Sequence, residues 1–409
     1  MTSPVAAAPL RTFTAAVITA LCVVIGLPAS LTAAAPTDEH RVVTWGASTD
    51  LVATKIDAGE KTVRNIVHTS VGGPQAQLSL SNVFGDRPVT FDAVRVGEQS
   101  TGAAVVPGTN QPVTFGGQSS VTLQPGEVRQ SDPLARAIRA DTSLAVSLHV
   151  VGDPGALTGH NLAMQTSYVS DAGDATADER GTAFGTEIES WLWVEAVTVR
   201  APQITSTVAF LGDSITDGHS STPSANLRWP DQFADRTAGT RYGPRYAVMN
   251  QGISANKVLI DGAGESALKR FDRDVLDQPG VRTVVVMEGI NDIRWDVADE
   301  PQDLISAHRE LIRRAHERGI CVVASPLVPF EGSSAWTPAR EEVRAGFNEW
   351  VRTSGEYDAV VDFDAVVRDP ARPTWFRPGY GAADNLHPTD AGYAAMAAAV
   401  DPQQLACDR

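Results

Sequence analysis

Four short blocks scattered between Gly212 and Pro388 hold the residue types that acyl transfer requires. The first is Gly212-Asp213-Ser214. A serine hydroxyl is a poor nucleophile until a base takes its proton, and a neutral imidazole is suited to that near pH 7. His387, in Asp384-Asn385-Leu386-His387-Pro388, is the candidate base. An imidazole that accepts at one nitrogen needs its other N–H held, and Asp384, three residues earlier, can reach it across one turn. Attack on an acyl carbonyl builds negative charge on oxygen, which calls for fixed donors in a dry site; losing one costs roughly 3 kcal/mol. The candidate donors are the amides of Ser214 and Gly252 and the side-chain NH2 of Asn291, in the blocks Asn250-Gln251-Gly252 and Glu288-Gly289-Ile290-Asn291-Asp292. Gly252 adds no side chain where an oxyanion must approach its N–H.

Each block also has a plainer reading. Asp213 or Ser214 could cap a helix, Gly252 could be a turn glycine, Asn291 could bond its own backbone, and Thr389 could cap a last helix begun at His387-Pro388. Placement favours the chemical reading. Val208 to Leu211 is an apolar run too short for a helix, and Gly212 ends it in a tight turn. From there strand-like runs at 208–211, 246–249, 283–287, 320–324 and 359–361 alternate with helical stretches. One helix, 301–318, aligns Leu304, Leu311 and Ala315; another opens at Thr337-Pro338 and buries Val343, Phe347, Trp350 and Val351. Such alternation implies a parallel sheet covered on both faces, with all strand ends at one rim. Ser214 follows the first strand, Gly252 the second, Asn291 the third, and Asp384 and His387 the fifth. In open α/β sheets that rim is where ligands bind.

These four blocks, in this order, resemble those of the SGNH (GDSL) hydrolases, over roughly residues 203–400. The stretch from Ser266 to Leu276, and Leu80-Ser81-Asn82-Val83-Phe84-Gly85 further upstream, resemble a subgroup of secreted bacterial and fungal SGNH proteins related to an acyl hydrolase of xylanase gene clusters, which carry an N-terminal β domain. The resemblance implies a flavodoxin-like three-layer α/β/α domain, Ser214 as nucleophile, an oxyanion hole from Ser214, Gly252 and Asn291, an Asp384/His387 pair, and no cofactor. The G-x-S-x-G elbow of α/β-hydrolases is absent, since Gly212-Asp213-Ser214-Ile215-Thr216 lacks the second glycine.

The rest of the chain bounds this reading. Its 409 residues suffice for two domains, with 43% hydrophobic and 20% charged residues as in a globular protein. A net charge of −16 without a Lys/Arg cluster argues against a nucleic-acid partner. Residues 1–35, with Arg11 ahead of an apolar stretch from Phe13 to Leu27 and then Pro28 and Thr32-Ala33-Ala34-Ala35, read as a signal peptide. The apolar run is short for a membrane span, so no stable membrane insertion is expected after cleavage. Export would leave Cys321 and Cys407 in an oxidising compartment, where a disulfide between them depends on strand order.

Residues 40–200 carry short alternating runs at 63–68, 77–81, 89–96, 120–123, 144–151 and 191–199, separated by turn signals such as Gly72-Gly73-Pro74 and Asp153-Pro154-Gly155. This predicts an accessory β-sandwich of jelly-roll type ahead of a catalytic domain at 203–409. Trp45, Trp191 and Trp193 could line a sugar face but suit a core. His68 and His149 read as structural, and Asp171, Asp174 and Asp178 as a solvated loop without EF-hand spacing. No metal is expected, since H-E-x-x-H and C-x-x-C are absent, and no G-x-x-x-x-G-K loop could hold a nucleotide. His219 is the other histidine expected near the site, and Trp295 and Trp336 could wall an acyl pocket or brace loops. The sequence thus predicts a secreted serine ester hydrolase acting through an acyl-enzyme, with acetyl esters of carbohydrate as substrates. A lipase or broad arylesterase, and an inert polysaccharide-binding protein, are the alternatives.

Overall fold

The computed structural model describes residues 1–4, 7 and 40–406. Apart from residues 1–4 and 7, the expected signal peptide lies outside the described residues, as does Cys407. Cys321 is disulfide-bonded. Among the described residues no helix is long and apolar enough to cross a membrane.

Five strands, β1 (Ser206–Gly212), β2 (Tyr246–Gly252), β3 (Val281–Met287), β4 (Cys321–Ala324) and β5 (Ala359–Val360), form one sheet in the order β2-β1-β3-β4-β5. All four pairings are parallel. Their near-continuous apolar runs are those of strands covered on both faces. The helices are α1 (Ser214–Asp217), α2 (Trp229–Ala238), α3 (Ala267–Phe271), α4 (Ile290–Arg294), α5 (Pro301–Glu317), α6 (Pro338–Thr353), α7 (Phe363–Val367) and α8 (Asp390–Ala399). Since the order reverses at β1, right-handed crossovers put α2 on one face and α3, α5 and α6 on the other. Helix α8 packs against α2 and α7, and α5 against α6 and α3. This is the flavodoxin-like three-layer arrangement, with the strand ends at one rim.

Helix starts are written in the sequence. Pro301 opens α5 behind a capping box in which the Glu300 and Asp303 side chains each accept the other's backbone N–H. Thr337 caps α6 by accepting from Arg340 N, and Thr389 caps α8 by accepting from Gly392 N.

Residues 41–200 fold into mostly antiparallel sheets. The central strand Thr142–Val151 pairs with Thr62–Thr69 on one side and Val89–Thr101 on the other. Five of the six predicted runs coincide with single strands. The sixth is broken at Trp193, which takes φ +59°, into Trp191–Leu192 and Val194–Arg200 in different sheets. Trp45, Trp191 and Trp193 are core residues: all are buried, Trp45 meets Trp191 edge to face, and Trp191 Nε1 donates to Ile66 O. His149 and His68 bond to Asp92 and Asp141. Asp174 accepts the amide of Thr176, and Asp178 those of Arg180 and Ala183, so these carboxylates hold their own loop.

The two halves have separate cores yet form one compact unit from His40 to Arg409. The β half covers β2, an edge of the parallel sheet. Ala47 bridges to Asn250 in parallel, Val248 N donates to Ser70 Oγ at 2.9 Å, and Val43 N donates to Thr207 Oγ1 at 2.9 Å. Val43 and Ala196 pack into the catalytic-side core, while Ala247 of β2 packs into the other.

Phe210, at the centre of β1, is fully buried and meets Trp229 and Phe233 edge to face at 4.6 and 5.8 Å. Phe210→Ala is expected to cost about 3–5 kcal/mol, read as a lower urea midpoint; a loss below about 1 kcal/mol would contradict this packing.

Candidate active site

The tight turn after β1 places Ser214 at the first position of α1. Asp213 caps that helix, its Oδ1 accepting from Ile215 N at 2.9 Å, so the capping reading holds for Asp213 while Ser214 keeps its hydroxyl for another partner. That partner is His387: Ser214 Oγ lies 2.8 Å from Nε2. His387 Nδ1 lies 2.5 Å from Asp384 Oδ2, and Asp384 Oδ1 accepts the amides of Leu386 and His387 at 3.0 and 3.1 Å. Asn385 between them takes φ +53°, a left-handed conformation that asparagine tolerates and that folds Asp384 back onto the ring.

Facing a carboxylate, Nδ1 carries the ring hydrogen, which leaves the Nε2 lone pair toward the serine hydroxyl. Burial pushes the His387 pKa down to about 4; the Asp384 hydrogen bond opposes this, and His219, its ring centroid 4.2 Å away, adds to it. Partial burial would raise Asp384, but hydrogen bonds from the His387 ring and the Leu386 and His387 amides hold it below the usual carboxylate range. At neutral pH the ring is therefore neutral and able to accept a proton.

The expected oxyanion donors occupy the neighbouring strand ends. Gly252 ends β2 opposite Gly212 of β1. A Cβ on Gly252 would stand 2.3 Å from Asp217 N, so the packing of α1 on β2 itself demands glycine. Its N–H donates to Asn250 Oδ1 at 2.9 Å, so it could reach an oxyanion only by sharing that hydrogen. Asn291, buried in α4, donates from Nδ2 to Asn256 O at 2.9 Å and keeps its second amide hydrogen. Gly289, at φ +123°, makes the turn that starts α4.

Sequence reasoning missed the residues that hold these donors. Arg294 Nη1 donates to Asn291 Oδ1 at 2.8 Å, which fixes which end of that amide faces Asn256. Asp292 accepts the amides of Val258 and Leu259 at 2.9 and 3.0 Å and so pins the loop that supplies Asn256. Arg270, fully buried, donates to Gly212 O, Gln251 O and Asn256 Oδ1. Three-residue spacing on a short helix links Asn291 with Arg294 and was visible; the role of Arg270 was not, because its acceptors come from distant blocks. Trp295 stands exposed at 47%, with Lys257 Nζ 4.6 Å from its ring centroid, whereas Trp336 packs against the core. His219, Asp384 and His387 present ligand-type atoms within 4.8 Å of one another, as do His68, Asp141 and Asp235. In the first group both His387 nitrogens are already engaged by Ser214 and Asp384.

Residues 210–395 match the GDSL-like lipase/acylhydrolase family. No curated protein matches the chain. Among solved structures, it is similar to a carbohydrate acetylesterase family member from Sinorhizobium meliloti, at 16% identity over 49% of this chain and 99% of that one, TM-score 0.40. It is similar to a GDSL-like lipase from Bacteroides thetaiotaomicron, at 21% over 47% and 84%, TM-score 0.35. A mutant acetyl-xylooligosaccharide esterase from Geobacillus Stearmophilus is similar at 21% over 48% and 94%, TM-score 0.37.

A base with so low a pKa stays competent in acid. The rate of p-nitrophenyl acetate cleavage should be flat from about pH 6 to 8 and fall only as His387 is protonated, below about pH 5. An acid limb centred near pH 7 would contradict this.

Proposed function

With residues 210–395 a GDSL-like lipase/acylhydrolase domain and the chain accordingly a carboxylic ester hydrolase, we propose that it is a secreted serine esterase that removes small acyl groups, acetyl foremost, from carbohydrate. Ser214 Oγ attacks the ester carbonyl while its proton passes to His387 Nε2. The C–O bond to the alcohol then breaks, and the leaving oxygen takes that proton. Water repeats the sequence on acyl-Ser214, with His387 again as base, and releases the acid. Asp384 orients the ring and stabilises its cationic form. The Ser214 amide and the second hydrogen of Asn291 Nδ2 bind the oxyanion, with Gly252 N–H as a shared donor.

The observation that carries this reading is the continuous relay Ser214–His387–Asp384. A short acyl group is supported by the burial of the reacting side chains, since Ser214 and His387 are only 5% and 7% exposed. An alcohol that is itself hydrated is supported by the rim, where exposed Trp295 is flanked by the cations Lys257 and Arg294. Secretion is supported by the apolar N-terminal stretch and by a disulfide at Cys321, a bond at home in oxidising compartments.

Ser214→Ala should abolish p-nitrophenyl acetate turnover in a protein whose circular dichroism is unchanged; undiminished turnover would refute the mechanism. Across p-nitrophenyl esters from acetate to palmitate, kcat/KM should fall with chain length, and acetylated xylan should release acetate. A preference for palmitate would overturn the acetyl assignment. Asn291→Ala should lower kcat by about 10²–10³-fold.

A further inference from the structure

The nucleophile turn is fastened from outside its own fold. His160, in the short strand Thr158–His160 of the β half, reaches across to Asp217, the last residue of α1. Its Nε2 lies 2.8 Å from Asp217 Oδ1 and 3.2 Å from Leu162 O, and its Nδ1 lies 2.8 Å from Ser48 O. Both side chains of the pair are buried, with 4% and 2% exposed. The atoms facing the two ring nitrogens are a carboxylate and two carbonyls, all acceptors, so the ring donates from both nitrogens, as an imidazolium against the Asp217 carboxylate. Burial works against that charge, yet the Asp217 carboxylate outweighs it and the His160 pKa is raised.

Asp217 does more than receive this ring. Its Oδ2 accepts from Ser254 N and Oγ at 2.9 and 2.7 Å, which ties the end of α1 to the loop after β2. Asp217 N, which donates to Asp213 O, occupies the place a Gly252 side chain would take. One carboxylate thus sets the spacing between the helix that begins with Ser214 and the strand that ends with Gly252. Beside it, Ser48 of the β half donates to Gln251 Oε1 and accepts from Arg270 Nη1 at 2.8 Å.

We infer that His160 is a positioning residue for the esterase reaction: the β half, through its ion pair with Asp217, holds Ser214 and Gly252 in register for acyl transfer. The inference rests on the role given to Ser214 above. It makes the β half part of the catalytic apparatus rather than an appended carbohydrate-binding module. Misplacement of a reacting group by about 1 Å can cost about 10²-fold in rate, so a loosened α1 should act on turnover.

The test uses the full chain and three variants, His160→Ala, the near-isosteric Asp217→Asn, and the two combined, assayed on p-nitrophenyl acetate beside wild type and Ser214→Ala. Each folded single variant, by circular dichroism and thermal melting, is expected to lose about 10-fold to 10²-fold in kcat with KM within about threefold of wild type. The double variant should be no slower than the slower single, because both changes break one contact. Wild-type kcat in either folded single variant, or losses that multiply in the double, would overturn the inference. Should wild type hydrolyse no ester, the esterase reading fails. The positioning role is then read from the rate at which a fluorophosphonate labels Ser214, expected to fall in His160→Ala; equal labelling would refute it.

Discussion

A guanidinium sealed away from water must find acceptors for its hydrogens, and Arg270, fully buried, finds them in four separate parts of the chain. It donates to Gly212 O at the end of β1, Gln251 O near the end of β2, Asn256 Oδ1 in the following loop, and Ser48 Oγ in the β half, with Asp274 as its counter-charge at 3.2 Å. Removing a partner would leave a buried charge uncompensated, so these groups are bound to one another through the cation. Asn256 in turn accepts from Asn291, and Asn291 from Arg294. The geometry at the sheet rim is therefore rigid for reasons that lie one layer beneath the residues facing a substrate.

Beneath the same rim the carboxyl groups of Asp213 and Glu288 are buried, and burial raises both above the ordinary range, helped by the charges of Asp292 and Asp217 at Asp213 and by those of Asp213 and Asp292 at Glu288. Glu288 Oε2 is without a hydrogen-bond partner, and Asp213 serves as a helix cap. A dry, acid-lined floor of this kind is poorly suited to carry additional negative charge. It leaves the amides and cations above it as the places where an oxyanion can be held.

Much of this was legible in the sequence because it is local. The parallel strands are continuous apolar runs, α5 and α6 announce themselves with Pro301 and Thr337-Pro338, and the Asp384–His387 pair spans a single turn. Residues expected to be either core or ligand, such as Trp45 and Trp191, are core because they pack against each other. What stayed hidden is long-range. Nothing in the text around His160 marks it as the partner of Asp217, 57 positions away, and the break at Trp193 depends on which sheets its two flanks must join. In the sequence Gly252 stands out for its lack of a side chain toward a ligand, whereas in the fold its nearest constraint is the backbone of Asp217. The spacing of a sequence reveals which groups a turn brings together; it is silent on which surfaces two sheets press against each other.

The coverage of β2 carries a consequence for how this chain behaves among its own copies. The parallel sheet has two flanks: on one, the seven-residue β2 is met by Ser70 Oγ at Val248 and by the Ala47 bridge at Asn250, and on the other β5 is only two residues long. A long uncapped flank is a template for pairing with another molecule, and a very short one is not. The first half of the chain therefore doubles as a shield against intermolecular strand pairing. Fragments that begin near Ser206 would carry that sticky border into solution and would be prone to self-association whatever their chemistry.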